Sequence, residues 1–100
     1  MTWATTYIKA LQLGFPIKIR PHGNSMKGKI ESGQLCTIVA VNPETLEAGD
    51  IVLCHVKGRD YLHLIHAIND DRFLIGNNRG YINGWITSEN IFGKCVDIGE

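Results

Sequence analysis

The sequence predicts a mostly β domain, built as small packed sheets or a partly open barrel, with one short N-terminal helix. Three observations carry that reading. After Pro16 the apolar residues recur with period two; Gly, Pro, Asn and Asp interrupt the pattern at short intervals; and helical spacing is confined to the first fourteen residues. At 100 residues and 44% hydrophobic content, the chain is one domain, residues 1–14 forming the helix and 16–100 the β part. A chain this long buries about 60–65% of its unfolded surface.

From Thr2 to Leu13, Trp3, Tyr7, Ile8 and Leu11 share one helical face, Thr2 is a candidate cap, and Gly14 with Pro16 ends the run. Ile17 to Arg20 reads as a strand leading into a glycine-rich turn. Leu35 to Val41 is a β-branched apolar run, closed by a turn at Asn42, Pro43 and Glu44. Ala48, Gly49 and Asp50 bend the chain into a strand from Ile51 to Lys57, and Gly58 and Arg59 separate it from its hairpin partner, Asp60 to Ile68. Asn69 to Asp71 turn into Arg72 to Ile75. Gly84 to Thr87 and Ile91 to Val96 complete the strands, with Asn77, Asn78, Gly80 and Asn83 in the loops.

Composition excludes several functions. The net charge is zero and the isoelectric point near 6.9, with no basic run, so the electrostatic footprint of a nucleic-acid binder is missing. Apolar runs are a few residues long, far short of the ~20 that span a bilayer, and no signal peptide is visible. These features predict a soluble, cytoplasmic protein without a transmembrane anchor. Cys36, Cys54 and Cys95 are widely spaced in apolar strands and read as reduced core thiols. Combined with His22, His55, His63 or His66 they match no zinc spacing, so no metal and no cofactor is expected.

The stretch Pro21 to Leu35, PHGNSMKGKIESGQL, sets Ser25 on a turn flanked by Gly23 and Gly28, with Met26 and Ile30 its bulky apolar residues. A hydroxyl on such a turn is a candidate nucleophile if a base reaches it. In the strand from Asp60, alternation puts Tyr61, His63 and Ile65 on one face and Leu62, Leu64 and His66 on the other, so His63 and His66 belong to different sites. Periodicity leaves open whether either meets Ser25.

The segment GNSMKGKIESGQL resembles the nucleophile box of the signal peptidase and LexA-type serine peptidases, roughly G-x-S-M-x-P-T-L-x-x-G-D, without a gap. LEAGDIVLCHVKGRDYLHLIHAI is similar to the family's hairpin bearing the general base, and IGNNRGYING followed by ENIFGKCV to its G-D-N-N segment and closing strand. The resemblance implies the family's β fold, Ser25 as nucleophile and His63 as base, as in the histidine-type signal peptidases. It also implies an oxyanion hole from the backbone N–H groups of Ser25 and Met26, and a protein or peptide substrate bound as an extended strand near Ile19 to His22.

Gly28 and Lys29 stand where the family has Pro-Thr, Gln34 where it has an acid, and Leu64 where an arginine commonly follows the base. Asn77 and Asn83 stand roughly where the histidine-type enzymes place aspartates. Asn83 is the candidate for orienting His63, and both asparagines are equally candidates for turn residues. A Ser-His dyad cleaving a peptide bond in a partner protein is thus the expected activity. The alternative is a catalytically inactive peptide-binding or assembly module of the same fold.

Overall fold

In the computed structural model, which describes residues 2–100, helix α1 spans Thr5–Gln12. It begins three residues later than the spacing predicts. Thr2 does not cap it; its hydroxyl instead accepts from the Ala4 N–H while its own N–H donates to Thr5 Oγ1. Trp3 therefore lies before the helix and stays 54% exposed, whereas Ala4 and Leu11 are buried.

Seven strands follow: β1 (Ile17–Ile19), β2 (Leu35–Val39), β3 (Ile51–Val56), β4 (Arg59–Asn69), β5 (Arg72–Gly76), β6 (Ile82–Thr87) and β7 (Ile91–Gly99). They form one antiparallel sheet in the order β1-β2-β7-β3-β4-β5-β6, curled into a half-barrel. This is the partly open barrel of the two predicted architectures. Two short 3-10 turns, Pro43–Thr45 and Ser88–Asn90, join strands, the first capped by Asn42 Oδ1 on the Glu44 N–H.

Alternation sorts the apolar side chains into two cores. Ile17, Ile19, Cys36, Ile38, Leu53, Leu62 and Leu64 pack with α1 on one face. Val52, Cys54, Val56, Ile65, Phe73, Ile75 and Ile86 fill the other. With both faces covered, the central strands read as continuous apolar runs rather than as alternating ones.

Two irregularities matter for function. Between β4 and β5, Ile65 faces Ile75 and Ala67 faces Leu74, leaving His66 as an extra residue. Between β5 and β6, Ile75 faces Gly84 and Gly76 faces Ile82, leaving Asn83 as an extra residue. Both are β-bulges, which bend a strand and re-aim a side chain. Moreover, β5 joins β4 only from Leu64 onward, while β3 pairs with β4 from Arg59 to Leu64. The first half of β4 is consequently an open sheet edge.

Candidate functional site

The serine turn is folded by its two apolar residues. Asn24 O accepts from the Lys27 N–H at 3.2 Å, and Met26 O accepts from Lys29 and Ile30 at 2.9 and 2.8 Å. This winds one tight turn that carries Met26 and Ile30 to the same side, where both are buried. Each such side chain contributes about 1.5–3 kcal/mol on burial, so the turn seats with Ser25 facing outward, and Ser25 is exposed. The base of the turn is closed by Gly33 N–H on Pro21 O and Gly23 N–H on Ser32 Oγ. Gln34 Oε1 accepts from the Glu31 N–H at 2.7 Å, an acceptor role that needs no charge.

A second clamp comes from the β5–β6 loop. The Asn78 N–H donates to Ser25 O at 2.9 Å and its side-chain amide donates to Lys27 O at 2.8 Å. Gly28 makes room for this. Its φ is +98°, which proline cannot adopt, and a Cβ there would sit 3.0 Å from Asn78 Nδ2. Asn77 is a turn residue, its Oδ1 accepting from the Arg79 and Tyr81 N–H groups. Among the described residues the N–H groups of Ser25 and Met26 make no hydrogen bond.

His63 lies on the open half of β4, opposite Val52. Its Nδ1 bonds Asn83 Oδ1 at 2.8 Å, and both residues are buried. Since the amide oxygen accepts, Nδ1 carries the proton, and Nε2 of the neutral ring keeps its lone pair. Tyr61 stacks on the ring at 4.7 Å between centroids. Asn83 belongs to strand β6 rather than to the loop expected from sequence, and the bulge aims it at the imidazole.

Packing takes the imidazole out of water. His63 is only 7% exposed. Burial pushes its pKa below the ordinary 6.5, the charge of His66 acts in the same direction, and the Asn83 hydrogen bond opposes them. The unfolded chain binds this proton at the ordinary value and the folded chain only at lower pH. The stability that this one group contributes is therefore complete above pH 6.5 and is lost as pH falls toward the folded value.

Ser25 and His63 line one cleft of about 370 Å³, with Trp3, Tyr7, Ile19 and Tyr61 as apolar walls. Among the described residues no hydrogen bond joins the serine hydroxyl to the ring. The other histidines have separate places. His66 Nε2 bonds Asn77 O at 2.8 Å, His55 bonds Asp60, and His22 lies exposed in the serine turn. Cys36, Cys54 and Cys95 are free, and burial pushes the first two thiols up to about 12. Among the described residues no three His, Cys, Asp or Glu side chains converge as a metal-holding group, and no helix is long and apolar enough to cross a membrane.

Sequence reasoning named Ser25, His63 and Asn83, and these three meet at or beside the cleft. It missed Asn78, whose clamp depends on a long-range contact that no local pattern signals. It also missed Asp60, a nearly buried carboxylate in the cleft wall that receives the Thr2 hydroxyl. No protein-family model matches the chain, and no curated protein matches it.

Proposed function

We propose that this protein is a serine peptidase in which Ser25 is the nucleophile and His63 the general base. The observation that supports it is one cleft lined both by the exposed Ser25 and by a buried imidazole whose Nδ1 is held by Asn83. Ser25 Oγ attacks the scissile carbonyl carbon and its proton passes to His63 Nε2. The oxygen anion faces the free N–H groups of Ser25 and Met26. Collapse breaks the C–N bond, the imidazolium returns the proton to the departing amine, and water then hydrolyses the acyl-serine with His63 again as base. The substrate is an extended peptide. The unpaired half of β4 from Arg59 to His63 supplies backbone groups for it to pair with, and the chain before the serine turn, Ile19 to His22, lines the same cleft. The three free thiols suit a reducing compartment, and we place the activity in the cytoplasm.

A fluorophosphonate probe tests this. The intact protein becomes covalently labelled at Ser25, and labelling is lost in Ser25→Ala and slowed in His63→Ala. A folded protein that takes no label overturns the reading. One observation favours a second reading, a non-catalytic peptide-binding module: the group behind His63 is a neutral amide, which stabilises an imidazolium less than a carboxylate does.

The same feature gives a directional test. Asn83→Asp places a carboxylate on Nδ1, favours the protonated ring and raises the His63 pKa. The acid limb of the pH–rate profile then moves to higher pH, and NMR titration of the His63 ring shows the same shift. An unmoved limb separates Asn83 from the base.

A further inference from the structure

A second cleft, about 350 Å³ in volume, shares no lining residue with the first. The tip of the β3–β4 hairpin contributes His55 and Lys57, the β5–β6 pair contributes Arg72, Trp85 and Thr87, and Asn90 closes it from the 3-10 turn. No acidic side chain lines it, the carboxylate of Glu89 being hydrogen-bonded to Thr87 at its edge. Among the described residues neither Lys57 nor Arg72 makes an ion pair, although the whole chain carries equal numbers of acids and bases.

Lys57 is held there by an unfavourable backbone. Lys57 and Gly58 form the two-residue turn with φ of +49° and +85°, a geometry that Asn, Asp or Gly adopts readily and lysine does not. The lysine stem lies across Gly84: a Cβ at that position would stand 3.3 Å from Lys57 Cε and 3.6 Å from Nζ. Strain retained in the turn thus coincides with space left open in β6 for the ammonium. Arg72 sits directly opposite Thr87 in the β5–β6 ladder. His55 Nδ1 is fixed on Asp60 Oδ1 at 2.6 Å, and that carboxylate is nearly buried behind the ring, leaving the Nε2 edge for the cleft. Trp85 is 46% exposed.

From this arrangement we propose that the second cleft binds the phosphate group of a small phosphate monoester whose planar organic part lies against Trp85. Two unpaired cations match a dianion better than a single carboxylate. Arg72 offers a fork of N–H donors and the Asn90 amide supplies a neutral one, while the Thr87 hydroxyl serves the Glu89 carboxylate. The half-exposed indole gives a flat ring an apolar face that free phosphate does not use. The site is independent of Ser25 and His63.

The sequence has two tryptophans, so Trp3→Phe leaves Trp85 as the single fluorophore. In this background, at constant ionic strength, phenyl phosphate produces a saturable change in Trp85 emission. It binds at least tenfold more tightly than inorganic phosphate or benzoate. Arg72→Gln and Lys57→Gln each weaken it at least tenfold, and Arg79→Gln, outside the cleft, leaves it unchanged. Lys57 and Arg72 are exposed, so both variants fold, as circular dichroism verifies. Absence of a saturable change, equal affinity for benzoate or inorganic phosphate, or affinity indifferent to Arg72 and Lys57 overturns the proposal.

Discussion

On the proposed peptidase reading, replacing His63 by alanine lowers the rate by about a hundredfold or more, the scale of a lost general base. His66→Ala, whose ring serves Asn77 O outside the cleft, changes it only a few-fold. If the protein is the proposed peptidase, the unsubstituted chain shows a rate that rises with pH through one ionisation and then levels. Its midpoint lies below 6.5, because burial and the His66 charge outweigh the Asn83 hydrogen bond in setting the ring's affinity for a proton. The sign follows from chemistry, since only the neutral imidazole accepts the serine proton. Steady-state rates on a peptide library at pH 4.5 to 9 give both results. Activity that survives His63→Ala, or that rises only above pH 8, assigns the base to a lysine and removes His63 from the mechanism.

A second large effect is on stability. Gly76 is buried at the end of β5, and a Cβ there would lie 2.4 Å from Tyr81 O and 2.9 Å from His66 Nε2. The first of these is backbone and has no rotamer to escape into. Gly76→Ala therefore forces the 77–81 loop to move, breaking the 2.9 Å bond from Asn77 N–H to Tyr81 O and displacing the ring of His66. Overpacking and one lost hydrogen bond together cost about 3 kcal/mol, or roughly 10–20 °C in Tm for a domain of this size. Urea unfolding measures it. A change within about 0.5 kcal/mol contradicts the close approach. Because the displaced loop carries Asn78, fluorophosphonate labelling of Ser25 falls as well, even at temperatures where the variant stays folded.

The strands were legible because each buries side chains on a fixed period. Leu35, Ile51, Arg72 and Ile91 begin strands in the structure where the pattern starts them. The bulges were not legible. A bulge adds one residue without changing composition, so alternation carried past Ile65 cannot register that His66 is unpaired, nor that Asn83 stands inside β6. The helix start was misplaced because Thr2 satisfies the rule for a capping residue while its hydroxyl serves Ala4 and Asp60. Burial of His63 escaped for a related reason. A histidine in an alternating strand reads as half-exposed, and only the packing of Tyr61 against it and of Asn83 behind it removes the ring from water.

Asn78 ties the serine turn to the β5–β6 loop through two hydrogen bonds, Arg20 Nη1 donates to Gly33 O at its base, and Met26 and Ile30 supply its apolar hold. A segment held by few long-range contacts would open as a local unit at a free energy below that of global unfolding. On the proposed reading, such opening would set an equilibrium between a docked loop, with Ser25 and His63 lining one cleft, and an undocked one in which the sheet persists without the proposed nucleophile. A peptide that paired with the free half of β4 and touched the docked loop would shift that equilibrium by its preference for one state. The nucleophile would thus be assembled by the substrate it acts on, and the apparent affinity would fall below the intrinsic one by the fraction of molecules whose loop is undocked.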